Sequence, residues 1–566
     1  MLPRTDPSFY NTTIDLAIII LDSALLSIKP LLREARTPQK RNLACNLLRE
    51  MRFSRVLDRL MTGDTQRRHT RRAVMRRGSI VFTWLLLVVS VVVGSPARAA
   101  NPKRPNIIVI LSDDYGWGSV GCFGAPSSLK TPGLDRLARE GRRFTNAYAP
   151  GSVCSPTRYG MMTGRYYWRT SIKDGEVLAG NAPLHIETDR LTLGSLCKAA
   201  GYQTAAFGKW HLGLQTGVDR TDWSNPLKPG PQAVGFDYFY GLAANPWNGP
   251  HTFIEDDQLV GRIPGEPVVV NGNKADATTT GIVKPWKEDH IMATLTERVT
   301  SWIEANKSKP FMIYYAPNAI HEPVVANPKF HGSPFGKYGD FIEELDWSVD
   351  EILKTLDKHQ LTENTLVIFS SDNGGVANPN NPNASAAIAA GLAVNGVLRG
   401  GKHDIWEGGF REPFLVRWPG KVPAGSVSEQ VVCLTDVLAT LASVLGVPLK
   451  DGQAEDSLDI SRAMFEAQPG PPVRDHVVLQ DAHGTYAIRQ GDWKLIERVD
   501  APKIEPRNKR KAQLAAKHKG PSHDELFNLA SDPSEASDVH ADHAELVAKL
   551  RKLLAHDRDV SATRQN

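Results

Sequence analysis

Two acidic clusters in this chain each follow an apolar run, and together they form a set of oxygen donors. Asn106 to Leu111 is largely apolar and ends in Ser112-Asp113-Asp114; Leu366 to Ser370 ends in Ser371-Asp372-Asn373-Gly374-Gly375. Either cluster alone is ordinary, because carboxylates after a strand commonly cap turns or helices. If both runs are strands of one sheet, their ends can converge at its carboxyl edge, where α/β proteins place their sites. Three carboxylates and one amide suit a hard divalent cation, Ca2+ or Mg2+. Zinc suits them less, since no nearby His or Cys has zinc-ligand spacing. Cations lie elsewhere in the chain. Gly208-Lys209-Trp210-His211-Leu212-Gly213 sets an ammonium and an imidazole two residues apart, on one side of an extended segment. His321 follows the apolar run Phe311 to Ala316, and Lys402 precedes Glu407-Gly408-Gly409-Phe410-Arg411-Glu412-Pro413. A lone lysine is usually a surface charge and a lone histidine usually structural. Their conjunction is what points to chemistry on an anion.

The elements that must position these residues alternate. Strands are expected at 106–111, 203–207, 311–316 and 366–370. Helical spacing covers Leu134 to Glu140 and Leu193 to Ala200, each closed by a glycine (Gly141, Gly201), and Tyr338 to Leu356 is a long amphipathic helix. This alternation predicts an α/β core with a covered sheet. Asn378 to Asn395, rich in Asn, Ala and Gly, reads as a loop. After about Gly470 the pattern changes to short strands without intervening helices: His476 to Gln480, Thr485 to Arg489 and Trp493 to Arg498. They predict a small antiparallel sheet closed by a terminal helix, Ala544 to His556. Lys503 to Lys519 carries seven Lys/Arg and reads as a solvated basic loop.

A chain of 566 residues is long enough for two or more domains. Its net charge of +5 resides in the leader: Met1 to Ala99 has 17 Lys/Arg against 7 Asp/Glu, the remainder 50 against 55. The body is therefore acidic, with no electrostatic footprint for nucleic acid. Arg71, Arg72, Arg76 and Arg77 precede an apolar run, Ile80 to Val93, and then Ala97-Arg98-Ala99, which reads as a secretory signal. The run is short for a membrane span, although an uncleaved leader would serve as an anchor. Met75 stands where such a signal should begin. The expected organisation is an extension at 1–74, which reflects a start site placed too far 5′ or a real cytoplasmic segment, and a signal peptide at 75–99. A catalytic domain at 100–470 and a C-terminal α+β subdomain at 471–566 follow. The expected location is periplasmic or secreted, without stable membrane insertion after cleavage. Five cysteines in so long a chain are not a disulfide framework; Cys197 and Cys433, in apolar surroundings, read as buried small hydrophobes.

The string Cys154-Ser155-Pro156-Thr157-Arg158, with a helix-like run to Gly164-Arg165, resembles the sulfatase signature. In that signature the cysteine is oxidised after synthesis to formylglycine, an aldehyde that no unmodified side chain offers. The string at 208–213 is nearly as specific. Leu526-Phe527-Asn528-Leu529 with Asp532-Pro533-Ser534-Glu535 is similar to the family's C-terminal signature. The resemblance to the formylglycine-dependent sulfatases of the alkaline phosphatase superfamily, of the arylsulfatase and N-acetylgalactosamine-6-sulfatase type, runs from Pro105 to about Asp538. It implies a large mixed β-sheet flanked by helices, plus a smaller C-terminal part with a three- or four-stranded antiparallel sheet and a terminal helix. By resemblance, Asp113, Asp114, Asp372 and Asn373 bind one divalent metal, usually calcium, and the modified Cys154 completes the site. Arg158, Lys209, His211, His321 and Lys402 match the family's polar active-site positions, and Asn245 falls where the family contacts sulfate. A formylglycine-generating maturation enzyme is the implied partner.

The chemistry so implied is sulfate-ester hydrolysis. A metal with Lys209, Lys402 and Arg158 would hold the sulfonate and offset the charge of the transition state. One hydroxyl of the formylglycine hydrate attacks sulfur, His321 helped by Lys402 protonates the leaving alcohol, and His211 releases sulfate through the second hydroxyl. The rivals are a phosphomonoesterase or phosphonate monoester hydrolase of the same superfamily and a non-catalytic sulfated-glycan binder with Cys154 unmodified. Alkyl, aryl and carbohydrate sulfates all remain open as substrates. Trp247 to His251, the 378–395 loop and His403 are candidates for specificity; Trp247 and His251 favour a sugar.

Overall fold

Apolar runs bounded by polar edges form the centre of the molecule because both of their faces are covered. The computed structural model describes residues 104–271, 278–282, 285–468, 470–498 and 523–564. The expected leader, signal peptide and basic loop lie outside these residues. The strands in chain order are β1 (Asn106–Ser112), β2 (Arg142–Tyr148), β3 (Gln203–Lys209), β4 (Tyr238–Leu242), β5 (Ile254–Glu255), β6 (Gln258–Leu259), β7 (Val270–Asn271) and β8 (Thr278–Thr279). There follow β9 (Phe311–Ala316), β10 (Thr365–Ser371), β11 (Arg411–Arg417), β12 (Ser426–Ser428), β13 (Val432–Cys433), β14 (His476–Gln480), β15 (Tyr486–Gln490), β16 (Trp493–Ile496) and β17 (Glu525–Asn528).

Eleven strands make one mixed sheet in the order β12-β2-β11-β10-β1-β9-β3-β4-β5-β6, with β13 also paired to β2. β10, β1, β9, β3 and β4 run parallel; β11 turns antiparallel against β10 and β2. Alternation along β1 divides the core. Ile107, Val109 and Leu111 face one apolar layer, Ile108 and Ile110 the other, and all five are fully buried. The long helix Gly336–Lys358 covers the second layer. Its Tyr338, Phe341, Ile342, Leu345, Val349, Ile352, Leu353 and Leu356 repeat at three and four residues and are all buried. It runs two residues further at each end than the apolar spacing predicts. The 378–395 loop carries a short helix, Ser385–Ala389. Among the described residues no helix is long and apolar enough to cross a membrane.

The second sheet is antiparallel, β14-β15-β16-β17, and the terminal helix Ala544–Asp559 covers it through Leu550 and Leu554. A buried ion cluster ties Glu535, at the end of the Asp532–Glu535 segment, to Lys494 of β16. Lys494 Nζ lies 2.8 Å from Glu535 Oε1 and 3.1 Å from Glu407 Oε1, and donates to the Ile405 carbonyl at 3.0 Å. Glu535 Oε2 accepts from the Glu407 backbone at 2.6 Å. Removing the ammonium leaves two buried carboxylates facing one another. Lys494→Met should therefore cost about 3–5 kcal/mol in chemical unfolding.

Candidate active site

Register brings the two acidic clusters together. β1 and β10 are adjacent and parallel, with Ser112 opposite Ser371, so Asp113-Asp114 and Asp372-Asn373 leave the sheet side by side. The Asp114 backbone N–H donates to Asp372 Oδ1 at 3.2 Å, and Asn373 Nδ2 donates to Asp114 Oδ1 at 2.8 Å. All four side chains are buried.

Lys209 ends β3 and turns into this cluster, with Nζ 2.6 Å from Asp113 Oδ2 and 3.3 Å from Cys154 Sγ. Its neighbour Gly208 has φ +87°, and a Cβ there would lie 2.0 Å from the Ala316 carbonyl oxygen of β9, so this approach requires glycine. The expectation that Lys209 and His211 share one side of an extended segment is corrected. The strand stops at Lys209, and His211 takes a left-handed φ of +52° that breaks the alternation. His211 Nε2 donates to the Leu178 carbonyl at 3.0 Å. A carbonyl only accepts, so the lone pair resides on Nδ1, which is buried without a protein partner.

Cys154 is the first residue of the helix Cys154–Thr163, which is buried along its whole length and ends at Gly164 in the left-handed region. Pro156 is tolerated there because it lies in the first turn. Cys154 is not in a disulfide; nor are Cys197 and Cys433, which are buried as expected. Burial pushes the Cys154 thiol up to about 12, against the pull of Lys209 and Lys402. An unmodified thiol here would be a poor nucleophile at neutral pH. One turn on, Arg158 donates to Asp372 Oδ2 at 2.6 Å and to the Lys209 carbonyl at 3.2 Å.

Lys402 Nζ donates to Asp114 Oδ2 at 2.7 Å. Its loop is pinned by Asn395, whose side chain bonds Gly375 N–H at 2.9 Å, Gly375 O at 3.1 Å and Gly400 O at 2.9 Å. His321 Nδ1 donates to the Glu322 carbonyl at 2.7 Å, which leaves Nε2 3.9 Å from Asp114 Oδ2. Burial first, then Lys402 and Lys209, lowers His321 to about 4. Burial, then Lys209 and Arg158, holds His211 well below its ordinary value. Both imidazoles are neutral at pH 7. Burial alone would raise the Asp113 carboxyl; the charges of Lys209, Arg158 and Lys402 outweigh it and hold the group well below the usual carboxylate range. Burial, together with the charges of Asp113 and Asp114, pushes Asp372 up against the pull of Arg158.

The donor set fits a hard cation. Asp113, Asp114 and Asp372 offer carboxylates, and Asn373 Oδ1 is a buried acceptor with no protein partner. Asp113, Asp114, Cys154 and His321 also bring one ligand atom each to within 4.8 Å of one another. Above them lies a cavity of about 750 Å3 lined by Asp114, Cys154, His321 and Lys402 together with Asn245, Trp247, Glu322, His403 and Asp404. Asn245 Oδ1 is buried there without a protein partner. Trp247 meets the His321 ring edge-on, 5.3 Å between centroids. His251 is not in the lining: its Nδ1 bonds Thr279 Oγ1 at 3.1 Å and its ring packs on Trp286. Sequence reading missed Leu178, which acts through its carbonyl and leaves no side-chain signal. It also missed the clamp by Asn395 and the wall residues Glu322 and Asp404.

The sulfatase family's sequence model matches residues 105–447. The N-acetylgalactosamine-6-O-sulfatase of Bacteroides thetaiotaomicron is 36% identical over 80% of this chain and 93% of that protein. The N-acetylgalactosamine-6-sulfatase of Canis lupus familiaris is 35% identical over 68% and 70%. A solved structure from work on glycosaminoglycan metabolism by Bacteroides thetaiotaomicron superposes with a TM-score of 0.74 at 35% identity, covering 81% of this chain and 100% of that one. With the expected fold in place and relatives at this identity over most of its length, the chain belongs to the sulfatase family and is a sulfuric-ester hydrolase.

Proposed function

We propose that the enzyme hydrolyses a carbohydrate sulfate ester, with the 6-sulfate of an N-acetylgalactosamine residue as the first candidate. Its nucleophile is formylglycine hydrate made from Cys154 by a maturation enzyme, in a periplasmic or secreted protein. The observation that carries this reading is the placement of Cys154. It opens a buried helix at the floor of the cavity, with Lys209 Nζ 3.3 Å from its sulfur and Lys402 in the same lining. The substrate class follows the two relatives, both named for N-acetylgalactosamine 6-sulfate.

Asp113, Asp114, Asp372 and Asn373 would hold one Ca2+ or Mg2+, which when bound supplies Lewis acidity toward the sulfonate oxygens. Lys209, Lys402 and Arg158 add positive charge where the transition state gathers negative charge. One hydroxyl of the hydrate gives up its proton to solvent as it attacks sulfur, the bond from sulfur to the sugar oxygen breaks, and that oxygen takes a proton, which solvent later restores to its donor. Lys402 carries this proton in the free site, since Asp114 outweighs burial and keeps its ammonium charged. His321 Nε2 faces the same space and relays it. His211 Nδ1 then takes the proton of the second hydroxyl, the carbon–oxygen bond to sulfate breaks, and the aldehyde returns to be hydrated again. Arg158 and the N–H groups of the first helical turn steady the residue.

Chelation should abolish turnover of 4-nitrophenyl sulfate, and Ca2+ or Mg2+ should restore it. Trp247→Ala should raise KM for a 6-sulfated saccharide about tenfold, the loss of one sugar-stacking contact, and leave 4-nitrophenyl sulfate kinetics within about twofold. The reading as a whole is tested by kcat/KM on N-acetylgalactosamine 6-sulfate, 4-nitrophenyl sulfate and 4-nitrophenyl phosphate. Sulfates should lead, and a clear phosphate preference would overturn it in favour of a phosphomonoesterase.

A further inference from the structure

We propose that His523, Asp538 and His540 form a second metal site, on the opposite chemical principle from the first, for a divalent transition ion such as Zn2+. Asp538 is the anchor. Its Oδ1 accepts from the Leu526 backbone N–H at 2.9 Å and from the His540 N–H at 3.0 Å, so the carboxylate is fixed before any ion arrives. Its Oδ2 faces two imidazoles at once, His523 Nε2 at 2.9 Å and His540 Nδ1 at 2.8 Å. One ligand atom from each of the three residues lies within 4.8 Å of the others. The rings are 4.2 Å apart between centroids, tilted by 37°, and aim their nitrogens at the same oxygen.

Two imidazole nitrogens and a carboxylate oxygen are zinc ligand types, and three protein ligands leave a fourth position for water. A transition ion would take the place of the two N–H hydrogens now directed at Asp538, each imidazole then carrying its single hydrogen on its other ring nitrogen. Nitrogen ligands also separate this site from the all-oxygen cluster around Asp113, which prefers Ca2+ or Mg2+. The site is open: the side chains of His523 and His540 are 49% and 36% exposed. Its position gives the ion a mechanical role. His523 lies two residues ahead of β17, the edge strand of the small sheet, and His540 opens the turn His540–Asp542 that leads to the terminal helix. An ion there ties the edge strand to the approach of the helix that covers the sheet.

The test uses full-length enzyme without a histidine tag, saturated with Ca2+ and titrated with ZnCl2, alongside His523→Ala and His540→Gln. Wild type should take up one equivalent of Zn2+ more than either variant, and Zn2+ should raise the melting temperature of wild type alone. CoCl2 in place of ZnCl2 should give visible absorption bands that both variants lose. Both variants should keep wild-type sulfatase activity with Ca2+, which establishes that they fold. Equal zinc stoichiometry and an equal thermal response in wild type and both variants would overturn the proposal.

Discussion

Cys154→Ser should release at most one equivalent of alcohol per active site and then stop, with steady-state turnover down by at least about 10³-fold. What decides the outcome is what each side chain can do after sulfur has been attacked. A serine at the start of this helix keeps one hydroxyl between Lys209 and Asp113, so the first transfer remains open to it. Its sulfate ester has no second hydroxyl on the same carbon, and His211 Nδ1 has no proton to remove. Water would have to attack sulfur in a buried cluster that already carries Asp113, Asp114 and Asp372. A stopped-flow burst followed by a flat trace is the expected record. Sustained turnover would show that the second hydroxyl is not the way out.

His211→Ala should fail at the other end of the cycle. The first transfer does not use this imidazole, so the alcohol burst should survive while steady-state kcat falls about 10²–10⁴-fold, the usual worth of a positioned general base. The tautomer makes the expectation specific. The bond from Nε2 to the Leu178 carbonyl fixes the hydrogen there and leaves Nδ1 free to accept. Intact-protein mass spectrometry of the variant after substrate should find one sulfate per chain. A variant that loses the burst as well as kcat would move His211 into the first step.

The residues proposed to carry the chemistry were legible because the strands that present them are buried on both faces. β1, β9 and β10 read as unbroken apolar runs, and residues directly after such runs sit at one edge by geometry. β2 and β11 were missed for the complementary reason. Arg142, Arg143 and Asn146 interrupt the first, Glu412 and Pro413 the second, and both depend on pairing partners far away in sequence. The departure of His211 from the line of Lys209 was not legible either, because its left-handed backbone is imposed by tertiary contacts: its N–H bonds the Ala243 carbonyl and its ring bonds the Leu178 carbonyl. Trp247 and His251, four residues apart, read as equivalent sugar contacts. The backbone between them runs through Gly249 and Pro250, and of the two only Trp247 lines the cavity.

The proposed mechanism requires the residue at position 154 to work as an aldehyde and not as a thiol. Its most direct test is the mass of the peptide containing Cys154, taken from enzyme that turns over a sulfate ester. The peptide should be lighter than the encoded one by the loss of hydrogen sulfide and the gain of an oxygen atom, in proportion to specific activity. An unmodified thiol throughout a fully active preparation would contradict the mechanism.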